Sequence, residues 1–467
     1  MQKGKNMIEK NIKKYIGFNK HYTELRLQRN TSKSITFLDG VLVQNTSATK
    51  SGVCARVYIK GSYGFASAPS FEDETIQNVL HNAEENAVFL SNRQNLGKTE
   101  FPSCIPYTEN LRCTTDNQAL EQKQIIDFCS QVDHYINTKY PDLLSRSVIA
   151  PCLDMEKMLI TSDGVYAHQL NPHASLYMIM TAKDKDGNPT ELMQNLGDFG
   201  SFTQVFPDIK IIEAEADTLY EQLMQKCNGI YATPGIKECI LHPNLAGILA
   251  HEAVGHTTEA DFVQSGSIAG PYLNKQVASE IVTMVDFAHT AFGKRCPIPV
   301  YTDDEGVKAE DVTIIENGIL KHYMHNRESA ENFGVNPTGN ARAFSFSDEP
   351  LIRMRNTVIL PGTSKIEDMI SSVEDGYYFV KTGNGQADST GEFMFSVQMG
   401  YEIKHGKLGR ALRSTTISGV AFDMLKTVTM LSDKISWVST GLCGKKQPMP
   451  VGMGGPAIKC MINVGGR

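Results

Sequence analysis

Val53-Cys54-Ala55-Arg56-Val57-Tyr58-Ile59, then Lys60-Gly61-Ser62, then Tyr63-Gly64-Phe65-Ala66 form the stretch that decides the fold class. β-Branched and aromatic residues on both sides of a glycine-centred break predict a strand, a tight turn and a second strand. Beyond Ser70, Ile76, Val79, Leu80, Ala83 and Ala87 place an apolar stripe on one side of Asp73 to Leu90, so an amphipathic helix lies on this sheet. Upstream, Glu24 to Gln28 and Ser34 to Leu38 read as further strands. Downstream, a second helix is expected from about Asn117 to Ile136. From Ser147 to Thr203 the pattern is β again, with turn clusters at Ser162-Asp163-Gly164 and from Asp184 to Pro189. Glu213 to Lys226 reads as a third helix, ended by Cys227-Asn228-Gly229. A domain boundary falls at Ala232-Thr233-Pro234-Gly235, and beyond it one helix, Leu245 to Thr257, sits among short strands and turns. The expectation is an α+β protein. Residues 1–231 form an N-terminal sheet-and-helix domain, and 232–467 form a β-rich C-terminal domain carrying the motif helix.

A chain of 467 residues exceeds what one core usually organises, which agrees with more than one domain. Lys plus Arg is 45 and Asp plus Glu is 52, a net charge of −7 that argues against a direct nucleic-acid binder, which needs a basic face. No stretch reaches the roughly 18 apolar residues of a membrane span. Met1 to Lys20 is basic without an apolar core, so it is no secretory signal; Met7, Ile8, Ile12 and Ile16 recur at helical spacing. The ten cysteines include no Cys-x-x-Cys pair, which points to reduced thiols and a cytoplasmic setting.

The chemistry concentrates in Gly247-Ile248-Leu249-Ala250-His251-Glu252-Ala253-Val254-Gly255-His256. Zinc peptidases commonly place two histidines four apart on one helical face with a glutamate after the first. Here the spacing is five, and at about 100° per residue the rings stand about 140° apart on a regular helix. Sharing a metal therefore requires a local departure from α geometry. Gly255 offers it, by ending the helix or through a widened turn. If a zinc ion sits there, His251 and His256 are ligands, a third protein ligand is needed, and one position stays open for water. Glu252 points elsewhere on the helix and is the candidate general base. The competing account is a pair of ordinary surface or core histidines.

With these residues in view the chain resembles the TldD/PmbA family, specifically its TldD branch of zinc metallopeptidases. The resemblance runs in order along nearly the whole chain. It begins with Ser51-Gly52-Val53 through Gly64-Phe65-Ala66-Ser67 and includes His251 through His256. It continues with Asp303-Asp304-Glu305-Gly306, Glu316 through Leu320, Pro337-Thr338-Gly339-Asn340 and Arg353-Met354-Arg355-Asn356-Thr357. Gly383-Asn384-Gly385-Gln386 and Gly441-Leu442-Cys443-Gly444-Lys445 close it. The resemblance implies that Cys443, in its Cys-Gly-Lys setting, is the third metal ligand. It also implies one zinc per active subunit, a peptide or unfolded polypeptide as substrate, and a dimer. That dimer is either a homodimer or a pair with a PmbA/TldE-like relative that lacks the histidine motif. Among ten cysteines Cys460 is the rival, but it lies where the family places no ligand; the glycine-flanked Cys443 reads as a more accessible loop than Cys54 or Cys239. The sequence departs from the family's usual Gly-Leu-Glu-Gly-Asp after the second histidine, having Thr257-Thr258-Glu259-Ala260-Asp261.

Other candidates are weaker. Gly383 to Gln386 lacks a Walker lysine-serine pair, so it reads as a turn or substrate-lining loop. Asp303 to Gly306 lacks the remaining spacing of a calcium loop and reads as a tight turn. His322 and His325 form a conceivable second metal pair, with exposed polar residues as the alternative. The leading function is peptide hydrolysis with Glu252 as base. A non-catalytic regulator or adaptor of the DNA gyrase modulator type, a label the family has carried, makes any metal structural or vestigial. Amide hydrolysis on a small non-peptide substrate uses the same site.

Overall fold

The computed structural model describes residues 8–16, 20–93, 101–102, 104–112 and 122–466. Met7, Cys113 and the first residues of the helix expected from Asn117 lie outside them, and that helix is described from Gln122 to Lys139 (α2).

The expected hairpin is present: β2 (Val41–Ile59) runs into β3 (Ser62–Ala68) through Lys60 and Gly61, both at positive φ. Upstream, β1 (Tyr22–Leu38) is continuous where two strands were expected, because the ladders with β2 and with β5 (Ser145–Thr161) carry through polar Arg29 to Lys33. With β4 (Thr108–Arg112), β6 (Tyr166–Lys183) and β7 (Pro189–Phe199) they form a seven-stranded sheet, ordered β3-β2-β1-β5-β6, with β4 and β7 both on β6. Helix α1 (Asp73–Arg93) buries Ile76, Val79, Ala83 and Ala87 against this sheet. Its approach depends on Gly64, where a Cβ would come within 2.0 Å of the Ala83 carbonyl oxygen. After α3 (Phe202–Val205), α4 (Ile209–Cys227) packs with α2 over the other end of the sheet.

Strand alternation gives the sheet two different faces. Leu25, Leu27, Ile35 and Phe37 of β1 point to the helices. Glu24, Arg26, Gln28 and Asn30 point the other way, yet all are buried, because that face docks on the C-terminal half. Arg26 donates to the carbonyls of Ser345 and Asp348, and Gln28 and Asn30 donate to that of Phe344. The Asp303 to Gly306 segment is the expected tight turn, closed by Gly306 N–H to the Asp303 carbonyl at 3.2 Å. It reaches into this face: Asp304 pairs with Arg26 (3.3 Å) and Lys157 (2.6 Å), and Glu305 pairs with Arg56 (2.6 Å).

The C-terminal half is built on an eleven-stranded sheet. Five of its strands close a ring: β8 (Gly235–Leu241), Asp375–Ala387, Glu392–Lys404, Thr415–Val420 and Met449–Val464, the last pairing back to β8. Gly383 to Gln386 lies inside the second of these strands and is not a turn, although the register shifts between Thr382 and Gly385. Helix α5 (Pro243–Leu249) buries Leu245, Ala246 and Leu249 in the core they share with Phe379, Phe395, Ile417 and Ile458. Gly247 lets it touch the last strand, since a Cβ there would stand 2.7 Å from the Gly454 nitrogen. The fold is therefore α+β, with a sheet-and-helix N-terminal region and a barrel-containing C-terminal region.

Removing one member of a buried ion-pair group strands the others, a cost of about 3–5 kcal/mol. Asp304→Ala, which leaves Arg26 and Lys157 uncompensated, is therefore expected to lower the urea midpoint by that equivalent. The fluorescence of Trp437, the single tryptophan, reads the transition.

Candidate metal centre

Helix α5 starts with His242 accepting from the Asn244 N–H and with Pro243 in the first turn. It does not continue as an α-helix to Thr257. At Ala250 it widens into a π segment, Ala250–Gly255, followed by a 3-10 turn, His256–Thr258. The N–H of His256 donates to the carbonyl of His251, five residues back. That bond turns the five-residue spacing from an obstacle into a match, bringing the second histidine onto the side of the first, with ring centroids 5.2 Å apart and ring planes at 77°. The expected freedom of Gly255 is not what the turn uses, since its φ is an ordinary −54°. What matters is its missing side chain: a Cβ would lie 1.9 Å from the sulfur of Met354. Carbonyls loosened at the end of the π segment are taken by hydroxyls. Thr257 donates to Val254 (2.8 Å), and Thr258 donates to Val254 (3.1 Å) and Gly255 (2.9 Å). The threonines that replace the family's usual glycine and leucine thus serve the local backbone.

Cys443 ends the strand Met430–Cys443 and is 2% exposed, so the accessible loop expected of it is in fact a buried strand end. Its Sγ lies 3.2 Å from His256 Nε2. One donor atom from each of His251, His256 and Cys443 lies within 4.8 Å of the others. Bonds of about 2.0–2.3 Å from a tetrahedral zinc put ligand atoms roughly 3.5 Å apart, the same scale. His251 is fully buried, and neither ring nitrogen has a hydrogen-bond partner among the described residues. A buried imidazole with two idle nitrogens is costly unless something binds it. The donor set, two imidazoles and a thiolate, fits zinc.

The electrostatics suit the same chemistry. Burial pushes the Cys443 thiol up, but the imidazoles of His251 and His256 beside it more than reverse this and bring it down to about 3. The thiolate is the form that binds metal. Burial likewise works against the charge on His256, yet Cys443 and Glu259 at its two nitrogens raise it to about 10. Glu252 is half-buried, its Oε2 3.7 Å from His256 Nε2.

The other candidates stay apart from this cluster. His322 is exposed and bonds the Thr313 carbonyl, whereas His325 is buried against Ser329 at 3.0 Å, not an exposed polar residue. Cys460 faces Cys239 across two barrel strands, and burial pushes its thiol up to about 12. Sequence reasoning also missed groups that hold the cluster. Arg353, fully buried, donates to the carbonyls of Cys443 (2.5 Å), Lys445 (3.0 Å) and Gln447 (2.9 Å). Arg355 forms a buried pair with Asp286 at 2.9 Å. Glu259 and Lys445 complete the surroundings. Their signal was present in the quoted segments, but nothing in the spacing joined them.

A buried cluster of two imidazoles and a thiolate, on a distorted helix in an α+β fold with a closed barrel, defines the chain as a candidate metalloprotein. The chain belongs to the PmbA/TldD family of metallopeptidases. Residues 234–466 match the profile described as PmbA/TldA metallopeptidase C-terminal domain, and 23–87 match PmbA/TldA metallopeptidase domain 1. It is 31% identical to a metalloprotease of Methanocaldococcus jannaschii, over 95% of this chain and 96% of that one. It is 29% identical to a zinc metalloprotease TldD homolog of Saccharolobus solfataricus, over 98% and 99%. Two solved structures share the fold. TldE from Thermococcus kodakarensis has a TM-score of 0.75 at 16% identity, covering 95% of this chain and 97% of that one. A Thermotoga maritima protein bearing the name of DNA gyrase modulator has a TM-score of 0.76 at 19% identity, covering 95% and 96%.

Overpacking at a site this tight costs about 1–3 kcal/mol. Gly255→Ala is expected to destabilise the protein by that amount. The double variant with Met354→Ala should recover part of the loss, seen as a non-additive double-mutant cycle in chemical denaturation.

Proposed function

We propose that this protein is a zinc-dependent peptidase in which His251, His256 and Cys443 hold the metal and Glu252 is the general base. The observation that carries the reading is His251, fully buried with both ring nitrogens idle beside a second imidazole and a thiolate. The Saccharolobus solfataricus relative, named a zinc metalloprotease, supports the choice of metal. Zinc, when bound, polarises a scissile carbonyl and lowers the pKa of water to about 7. The chain's own contribution is proton handling. Glu252, beside the Nε2 edge of His256, takes a proton from the attacking water and returns it to the leaving amine nitrogen. Peptides or unfolded polypeptides are the proposed substrates, held extended against a sheet edge. We further propose domains at 1–231 and 232–467, a cytoplasmic location, and a dimer with itself or with a TldE-like relative. The net charge of −7 offers no general basic surface for nucleic acid, and no helix among the described residues is long and apolar enough to cross a membrane.

The test is zinc content and cleavage of unstructured peptides by wild type and Glu252→Gln. The variant should keep its zinc and lose about 10²–10⁴-fold in rate; full activity in a zinc-loaded variant sinks the assignment of the base. Cys443→Ala should lose zinc. A wild-type protein that stays metal-free after incubation with zinc at neutral pH would favour the regulator reading instead.

A further inference from the structure

Glu259 and Lys445 are two charged groups packed behind the cluster. Glu259 is fully buried, and its Oε2 accepts from His256 Nδ1 at 2.9 Å. The same oxygen accepts from Lys445 Nζ at 3.2 Å. The Lys445 side chain is 7% exposed; it also pairs with Asp261 at 2.6 Å, donates to the Ile352 carbonyl at 3.0 Å, and sits 4.3 Å from the Phe262 ring centre. It stands two residues after Cys443, and Arg353 pins the carbonyls of both. The contacts therefore close a loop: His256 to Glu259, Glu259 to Lys445, along the backbone to Cys443, and from its Sγ back to His256 Nε2.

We propose that Glu259 and Lys445 act as one positioning pair, which orients His256 to present Nε2 and ties that orientation to the placement of Cys443. The inference rests on the metal reading above and adds to it. A carboxylate that accepts from Nδ1–H fixes the tautomer, leaving the Nε2 lone pair for a metal; partners of this kind commonly change metal affinity by about 10–100-fold. A carboxylate so deeply buried also needs positive charge beside it, and Lys445 supplies it at 3.2 Å from the oxygen that His256 uses. The pair explains why Cys443 is followed at the second position by a lysine, and why a glutamate stands three residues after His256. Glu259 meets the Nδ1 edge of His256 and Glu252 the Nε2 edge, so the pair acts through His256 and Cys443.

The experiment measures zinc affinity of the full chain by competition with a chromogenic chelator, together with the thiolate-to-metal band of the cobalt-substituted protein. Glu259→Gln, nearly isosteric, and Lys445→Met should each weaken zinc binding about 10–100-fold and shift the cobalt band, with circular dichroism unchanged. The double variant should lose little more than either single one, and Lys445→Arg should recover part of the affinity. If wild type binds zinc and Glu259→Gln binds it as tightly with the same cobalt spectrum, the pairing is overturned while the metal site stands. Losses that simply multiply in the double variant overturn the claim that the two act as a unit. If wild type takes up neither metal, the metal reading itself has failed. Should Lys445→Met not fold, Glu259→Gln and Lys445→Arg still decide the matter.

Discussion

One hydrogen bond organises the centre of this molecule: the N–H of His256 to the carbonyl of His251. An α-helix would send that N–H to Glu252 and turn the two imidazoles apart. The wider turn needs three supports. The surrounding core must confine it, which Ala250, Ala253 and Val254 do by being buried. The backbone must pass Met354 closely, which only a glycine at 255 allows. The carbonyls it loosens need donors, which Thr257 and Thr258 supply. A π segment in isolation is poorly stable, and it persists where tertiary packing holds it and a site benefits.

The sequence made the outer structure legible and the inner contacts less so. The hairpin around Lys60-Gly61, helix α1 and helix α4 follow from periodicity and turn residues, because these depend on neighbours in the chain. The break expected within β1 fell at the polar stretch Arg29 to Lys33. Pairing on both sides overrode that local preference. The polar side of β1 carried a subtler trap. Glu24, Arg26, Gln28 and Asn30 look like a solvated face, yet Arg26, Gln28 and Asn30 meet groups more than three hundred residues away; Arg26 reaches Ser345 across 319 positions.

The site shows the same division. His251, Glu252 and His256 are adjacent in sequence, and the geometric difficulty of their spacing named its own remedy, a widened turn. Cys443 could not be chosen by spacing, since it meets His256 across 187 positions and sits among ten cysteines. Only resemblance singled it out, and even then its setting was misjudged as an open loop. Arg353 and Arg355 were visible as part of a shared segment, but a buried arginine donating to backbone carbonyls leaves no mark in spacing or composition. Their work is to hold the turn after Cys443 and the strand bearing Asp286 on either side of Met354, the residue that presses on Gly255.

The closed ring of strands also sets an order in time. The histidines are synthesised long before the cysteine, and the strand that closes the barrel, Met449–Val464, follows the cysteine. Domains form as they leave the ribosome, amino-terminal parts first. A nascent chain thus carries the imidazoles without their thiolate, on a helix whose surrounding wall is still open. The strand that ends at Cys443 pairs with that closing strand, so the three donor atoms meet only once the last strand has been made, and the cluster is among the last features of the fold to assemble.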